Sequence, residues 1–215
     1  TVLGVVAAGT GNDTARALRL LGGSIEDQVD KALADPVPID LILGAGQPVV
    51  TSVICGFPTA VNQRANRMRF PKGAGRYTLA TLLEVPRMKP THYRLVLDGK
   101  TVEVMAAAIV VANTSYFGGG MRICPEANPT DGLLDVCVIG DTSRFDLLRS
   151  LQQVRTGRHV DHPKVAMYRA EVVGVEGAGA VRADGEPLGQ LPVTLWADPG
   201  ALLVAGANTA SPGQR

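Results

Sequence analysis

The chain has 215 residues, of which 46% are hydrophobic, enough to bury the core of one large domain or of two small ones. Its 21 Lys and Arg residues nearly balance its 20 Asp and Glu residues, which argues against a protein that holds nucleic acid through bulk positive charge. No run of about eighteen apolar residues occurs and no secretory signal opens the chain, so we expect neither a membrane span nor a leader.

The N-terminal part of the chain predicts one strand followed by two helices. An apolar run at 3–8 stops at a glycine-rich turn, after which Asp13 can cap a helix over 14–21. Ser24, with Asp27 three positions later, predicts the cap of a second helix. The apolar face of this second helix is expected to consist of Ile25, Val29, Ala32 and Leu33.

From Pro36 onward, β-branched and apolar runs alternate with turns, which predicts mainly antiparallel strands. The clearest signal is a hairpin with a type I′ turn at Asp98-Gly99, where apolar and polar residues alternate on both sides. The predicted strands are 38–43, 49–55, 93–97, 102–104, 106–112, 133–139, 166–175, 180–183, 193–197 and 201–205, and the predicted helices are 59–68, 75–85 and 143–156. This order predicts an α+β protein with a boundary near residues 36–40.

Cysteine and histidine give no metal signature. Cys55, Cys124 and Cys137 are odd in number and match no zinc-binding spacing, so we expect buried free thiols in a reducing cytosol. His159 and His162 have no evident third ligand, and we interpret both as loop histidines.

The opening turn is compatible with phosphate and a divalent cation. Gly9 and Gly11 would let an anion approach the free N–H groups of a helix start, and Asp13 beside a phosphate makes sense with a cation between them. An ordinary strand-to-helix turn with an Asp cap explains the same residues. The turn is neither a Walker A loop nor a complete dinucleotide fingerprint, so its spacing leaves both interpretations open.

Two further Asp-Gly sites are equally ambiguous on spacing alone. Around Asp131, a carboxylate and the carbonyl oxygens of Asn128 and Leu133 could surround one hard cation, or the segment could be only a turn before a strand. The Asp184-Gly185-Glu186 segment could be a hairpin turn. Alternatively, Asp184 could take a proton from a substrate hydroxyl while Glu186 orients it, as phosphoryl transfer requires.

Taken in series, three segments resemble the bacterial diacylglycerol kinase family, to which sphingosine and ceramide kinases are more distantly related: GVVAAGTGNDTARAL, GGGMRICPEANPTDGLLDV and VRADGEPL…PGALLV. The stretches NQRANRMRFPKGAGRY and YRLVLDG look like its actinobacterial branch. The resemblance runs from about Leu3 to Ala205. It implies an enzyme that uses ATP and Mg²⁺ to phosphorylate a lipid hydroxyl, most simply converting diacylglycerol to phosphatidic acid.

The resemblance also implies a domain organisation and a set of site residues. Residues 1–38 would be the remnant of an α/β nucleotide-binding domain, 39–205 a C-terminal β-sandwich with inserted helices, and 206–215 a loose tail. Nucleotide phosphate and Mg²⁺ would lie at Thr10, Gly11, Asn12 and Asp13. A structural Mg²⁺ would be held by Asp131 and the carbonyls of Asn128 and Leu133. Asp184 would be the general base, with Glu186 as its neighbour.

Two departures from the family pattern bear on activity. Ala8 stands where the family usually has proline, a mild change. The Gly-Gly-Asp-Gly-Thr motif, which supplies most of the phosphate-binding backbone, is absent, so we expect little or no kinase activity from this polypeptide alone. The alternatives are a kinase for another lipid, such as a sphingoid base or phosphatidylglycerol, and a non-catalytic β-domain that binds lipid or a partner.

A basic stretch bears on the partners of the protein. Five cations fall within thirteen residues that contain no acid, with Met68 and Phe70 between them: Arg64, Arg67, Arg69, Lys72 and Arg76. Such a patch favours peripheral contact with an anionic membrane surface, or it is a solvated helix face. We therefore expect ATP and a lipid as partners, a cytoplasmic location at the inner membrane face, and no nucleic acid; a homodimer is left open.

Overall fold

The computed structural model describes residues 1–9, 11–71, 74–141, 146 and 152–209. Thr10, Lys72 and most of the helix predicted over 143–156 lie outside these residues, as does 210–215 of the predicted tail. In the part of the chain that is described, no helix is both long and apolar enough to cross a bilayer.

Strands dominate the described residues, which confirms the predicted α+β class. The helices are α1 (Asp13–Ala17), α2 (Ile25–Ala32), α3 (Phe57–Arg67) and α4 (Ala74–Glu84), with 3₁₀ turns at Val85–Arg87 and Arg158–Asp161. The strands are β1 (Val2–Leu3), β2 (Pro36–Leu43), β3 (Ser52–Gly56), β4 (Thr91–Leu97), β5 (Lys100–Ala112), β6 (Leu134–Gly140), β7 (Val165–Ala170), β8 (Val172–Gly177), β9 (Ala180–Ala183), β10 (Glu186–Gln190) and β11 (Val193–Ala205).

The strands form one hydrogen-bonded sheet that folds over itself. Its order is β1-β11-β8-β4-β5-β3-β9-β10, while β2 also pairs with β11 and β6 pairs with β5 and β7. Among the described strands, only the β1–β11 pair is parallel. The long strands β5 and β11 change partners along their length at register shifts, as strands do where they pass from one layer of a sandwich to the other. The main core between the layers contains Tyr93, Leu95, Ile109, Leu134 and Leu195.

Local signals correctly predict several turns and caps. Asp98 and Gly99 have φ values of 46° and 81°, which confirms the hairpin between β4 and β5. Ser24 and Asp27 form the predicted capping box of α2. The predicted apolar face of α2 is exposed, however: Ile25 and Leu33 are 70% and 80% accessible.

The first helix is shorter than its sequence predicts. α1 ends at Ala17, and Arg19 adopts a left-handed φ of 56°. This turn buries Leu18 and Leu20 in one apolar cluster. In a continuous helix these two side chains would point about 200° apart, so burying both on one side ends the helix.

Three predictions about the last strands are wrong. The single strand predicted at 166–175 is two strands, β7 and β8, which pair with different partners. The strands predicted at 193–197 and 201–205 are a single strand, β11, with a bulge between Asp198 and Leu202. β10 is not predicted, because Pro187 and Gly189 weaken its strand signal; it is an edge strand that pairs with β9. Because β1 and β2 both pair with β11, the N-terminal segment shares its sheet with the rest, and the division at residues 38/39 stays a prediction.

The three cysteines are free and buried, as predicted. Burial raises the pKa of the Cys55 and Cys137 thiols to about 12 and makes them inert at neutral pH. The interpretation of His159 as a loop histidine is wrong. Its ring is fully buried, Nε2 lies 2.9 Å from the carbonyl of Ile123, and burial lowers its pKa.

Candidate functional site

The opening glycine turn is closed by Asn12. Its side-chain amide donates to the carbonyl of Gly9 at 2.8 Å, and its Oδ1 accepts from the N–H of Gly9 at 2.9 Å. A Cβ at position 9 would lie 2.8 Å from this oxygen, so a larger residue there would displace the Asn12 side chain and open the turn. Asn12, rather than Asp13, is the N-cap residue of α1, and it makes no side-chain cap bond. The predicted capping role of Asp13 is therefore wrong.

Asp13 reaches the run of three glycines instead. Its two carboxylate oxygens accept from the N–H groups of Gly119 and Gly120, each at 2.7 Å. These glycines have φ values of 88° and 95°, a backbone shape that presents successive N–H groups to an anion. A carboxylate of this chain thus approaches the backbone of the glycine run closely. Arg16 lies beside the contact, 5.9 Å from the centre of the Tyr116 ring.

Asp184 lies in a hairpin turn, yet its carboxylate leaves that hairpin. Asp184 and Gly185 have φ values of 47° and 89° between β9 and β10. The carboxylate accepts from the N–H groups of Val50, Thr51 and Ser52 at 2.7, 2.9 and 3.2 Å, and from the Thr51 hydroxyl. It therefore fixes the start of β3.

The same turn is held from its other side by Arg182. This buried guanidinium donates from Nε and Nη2 to the carbonyl of Gly185 at 3.2 and 2.7 Å. Glu186 follows the turn and is exposed, and its side chain has no hydrogen-bond or ion-pair partner among the described residues. The turn thus presents one carboxylate that is fully engaged and one that is free.

The loop at 128–133, here called the Asp131 loop, is stabilised by charge. One oxygen of Asp131 accepts from the N–H of Leu133 at 3.1 Å, and the other pairs with Arg169 of β7. Arg169 also lies 3.6 Å from Oδ2 of Asp135, whose pKa burial raises to about 6. Asn128 accepts from the Thr130 hydroxyl through its side-chain oxygen at 2.9 Å.

Sequence reasoning missed Asp40, which connects the Asp131 loop to β11. Asp40 is 2% exposed, and its oxygens accept from the N–H groups of Gly132 and Gly200 at 2.8 and 2.9 Å. Its backbone N–H donates to the carbonyl of Pro129 at 2.7 Å. A lone acid inside the apolar run of β2 is the signal that could have found it, since a buried carboxylate requires partners.

Asn113 was missed as well, and it joins the three loops. Its side-chain amide donates to the carbonyls of Asp40 and Val50 at 2.8 and 3.0 Å, and its N–H donates to the carbonyl of Thr51 at 2.9 Å. It begins the segment 113–120, which follows β5 and ends in the glycines held by Asp13. The opening turn, the Asp131 loop and the Asp184 turn are therefore all tied to this one segment. No hydrogen bond among the described residues joins the carboxylates of Asp13, Asp131 and Asp184 directly.

The metal prediction for Asn128, Asp131 and Leu133 remains untested, and the contacts weigh against it. Both oxygens of Asp131 are engaged, and the Arg169 guanidinium already supplies positive charge there. The described residues contain no group of three or more His, Cys, Asp or Glu side chains that could hold a metal. As the loop stands, its donor set fits a salt bridge rather than Mg²⁺, so we derive no step through a metal at Asp131.

We expect added Mg²⁺ to leave the Tm of the protein unchanged, because Arg169 already neutralises Asp131. An Arg169→Gln variant leaves the Asp131 carboxylate, beside Asp135, without its cation. The Tm of this variant should therefore rise with Mg²⁺. Thermal unfolding in millimolar Mg²⁺ and in EDTA measures both effects. A wild-type Tm that rises with Mg²⁺, and no longer does so after Asp131→Asn, would support the metal site and contradict our interpretation.

Comparison with known proteins shows which family has this architecture. Residues 51–206 match the family described as the YegS C-terminal NAD kinase beta sandwich-like domain. A Mycobacterium tuberculosis protein named diacylglycerol kinase is 41% identical over 216 residues, covering 94% of this chain and 68% of its own length. A Bacillus subtilis diacylglycerol kinase is 25% identical over 201 residues, covering 88% and 64%. A Pseudomonas aeruginosa relative named as a YegS-like lipid kinase is 28% identical over 207 residues, covering 94% and 67%.

Solved structures share the fold. Two Bacillus anthracis crystal structures each match 94% of this chain, the first with a TM-score of 0.74 and the second with a TM-score of 0.66. The second is described as that of a diacylglycerol kinase. Their identities to this chain are 20% and 17%, and 67% and 65% of their own chains are covered. The chain thus spans about two thirds of the length of the proteins it matches.

Proposed function

The chain belongs to the family of bacterial diacylglycerol kinases and YegS-like lipid kinases, and from this premise we propose that it serves phosphoryl transfer from ATP to the hydroxyl of diacylglycerol, which gives phosphatidic acid. The proposal of diacylglycerol as acceptor rests on the 41% identical relative that carries this name. The YegS-like relative is named only as a lipid kinase, which favours testing other lipid alcohols beside diacylglycerol.

The observation that carries the proposal is the convergence of three separate acidic loops on the segment 113–120. Asp13 binds its glycines, Asp40 and Asn113 join it to the Asp131 loop, and Thr51 joins it to Asp184. Phosphoryl transfer depends mainly on positioning donor and acceptor and on neutralising charge, so groups fixed around one segment suit it.

We propose separate roles for these loops. The opening turn, with Thr10, Gly11, Asn12 and Asp13, lies on the nucleotide side, where Mg²⁺ would arrive as part of the MgATP substrate. The Asp184–Glu186 turn supplies the carboxylate that takes the proton of the attacking hydroxyl. Asp184 would be this base and Glu186 its orienting neighbour. Because Asp184 accepts from four donors while the Glu186 side chain has no described partner, the two roles are tested by separate variants.

The 215 residues contain no Gly-Gly-Asp-Gly-Thr run, so we propose that the chain alone has little activity. A chimera with the segment that carries this motif in a longer relative, fused ahead of Thr1, should form phosphatidic acid. The assay uses radiolabelled ATP with diacylglycerol, sphingosine or phosphatidylglycerol in mixed micelles. A folded chimera that binds ATP but phosphorylates none of these lipids would favour the non-catalytic lipid-binding alternative.

A further inference from the structure

The helical hairpin of α3 and α4 exposes large apolar side chains. Phe70, between the helices, is 75% accessible, and Leu79, Leu82 and Leu83 of α4 are 37%, 51% and 41% accessible. The two helices pack on each other through other residues, namely Val61 and Ala65 of α3 and Ala80 of α4. The three leucines therefore form an apolar stripe on a side of α4 that this packing leaves uncovered.

The surroundings of this stripe are cationic. Between Phe57 and Leu83 the sequence has no acidic residue. Arg67 and Arg69 are exposed beside Phe70, and Arg87 is exposed after α4. The first acid, Glu84, is only 12% accessible and is paired with Arg64.

These contacts reduce the number of cations in the predicted basic stretch that are available to a partner. Arg64 is neutralised by Glu84, and Arg76 is half-buried, so neither is free to attract a distant surface. The exposed cations that remain are Arg67 and Arg69 beside Phe70, and Arg87 after α4. Exposed cations and exposed apolar side chains thus occur together on both sides of α4, with Phe70 before it and Leu82 and Leu83 at its end, which periodicity alone does not show.

We propose that the α3–α4 hairpin docks on the surface of an anionic lipid bilayer, with Phe70 and the leucine stripe buried at the boundary between headgroups and acyl chains. An apolar stripe on a hairpin whose exposed charges are cations complements such a surface. A second copy of the same hairpin would bring like charges together and is disfavoured. The proposal deepens the proposed function, since docking would bring the enzyme to its lipid, but it is measured without nucleotide or turnover.

The chain provides a matched control. α2 and its C-cap expose Ile25, Val29 and Leu33, on average more than α4 exposes its three leucines, yet this face lies among Glu26 and other acids, which an anionic surface repels. Removing apolar area there should leave membrane binding unchanged.

The experiment is sedimentation of the 215-residue chain with vesicles of phosphatidylcholine, with and without phosphatidylglycerol. We expect binding to the anionic vesicles only, weakened by salt. Replacing Leu79, Leu82 and Leu83 by Gln should lower the partition coefficient about tenfold or more. Replacing Arg67 and Arg69 by Gln should lower it about fivefold per cation.

The control triple variant at Ile25, Val29 and Leu33 should bind as wild type does, and circular dichroism should show that all variants remain folded. Absence of binding to anionic vesicles, or equal loss in the α2 control, would overturn the proposal. So would a leucine variant that binds normally but abolishes a concentration-dependent dimer, because the occupant would then be a second copy. The two proposals fail separately. If the chain binds anionic vesicles but the chimera has no kinase activity, the docking proposal holds and the proposed function is wrong.

Discussion

Replacing Asp40 by Asn is expected to lower the free energy of unfolding by about 3 kcal/mol, more than most single substitutions do. The carboxylate accepts from Gly132 with one oxygen and from Gly200 with the other. An amide has only one oxygen, so its NH₂ group would face one of these two N–H donors. The loss combines a missing charge-assisted hydrogen bond with a buried donor left unpaired.

Urea unfolding measures the loss, and hydrogen exchange at the Gly132 and Gly200 amides shows whether it arises at these contacts. Asp30→Asn on the exposed face of α2 is the matched control and should change stability by less than about 0.5 kcal/mol. If Asp40→Asn unfolds with wild-type stability, or if both amides keep their protection, Asp40 does not connect the Asp131 loop to β11 as the structure indicates.

Residues close together in the chain explain what the sequence predicts correctly. The capping box of α2 needs two residues three positions apart, and the β4–β5 hairpin needs an Asp-Gly pair between alternating strands. The buried β5 run likewise follows from local apolar residues. These signals suffice for the α+β class.

Partners far apart in the chain explain what the sequence does not predict. Asp13 contacts glycines more than a hundred positions away, and Asp184 contacts Thr51 across 133 positions. No spacing rule encodes either contact. From the sequence, Asp13 is therefore interpreted as a helix cap. For the same reason the sequence does not distinguish a salt bridge between Arg169 and Asp131 from a metal site. The sequence-based list of site residues also omits Asp40 and Asn113, because neither belongs to a motif.

Replacing Asp184 by Asn is expected to abolish phosphoryl transfer in the active chimera and, unlike Glu186→Gln, to destabilise the fold as well. The introduced amide would turn an NH₂ group toward the N–H groups of Val50, Thr51 or Ser52, which should cost about 2 kcal/mol. Glu186 has no described partner, so Glu186→Gln should leave the unfolding free energy within about 0.5 kcal/mol of wild type. If the turn supplies the base, each variant should lower the rate of transfer by roughly 10²-fold or more.

Asp98→Asn separates catalysis from the structural role of such a turn. Asp98 also precedes glycine in a hairpin, and its carboxylate accepts from the N–H groups of Glu171 and Val172 at 3.3 and 2.9 Å. This variant should lose stability as Asp184→Asn does, yet retain transfer at temperatures where it is folded. Rates are measured on folded protein across pH, because loss of the base changes the pH profile whereas loss of stability alone does not. Should Asp184→Asn behave like Asp98→Asn, keeping its rate and pH profile, Asp184 only anchors β3 and is not the proton acceptor.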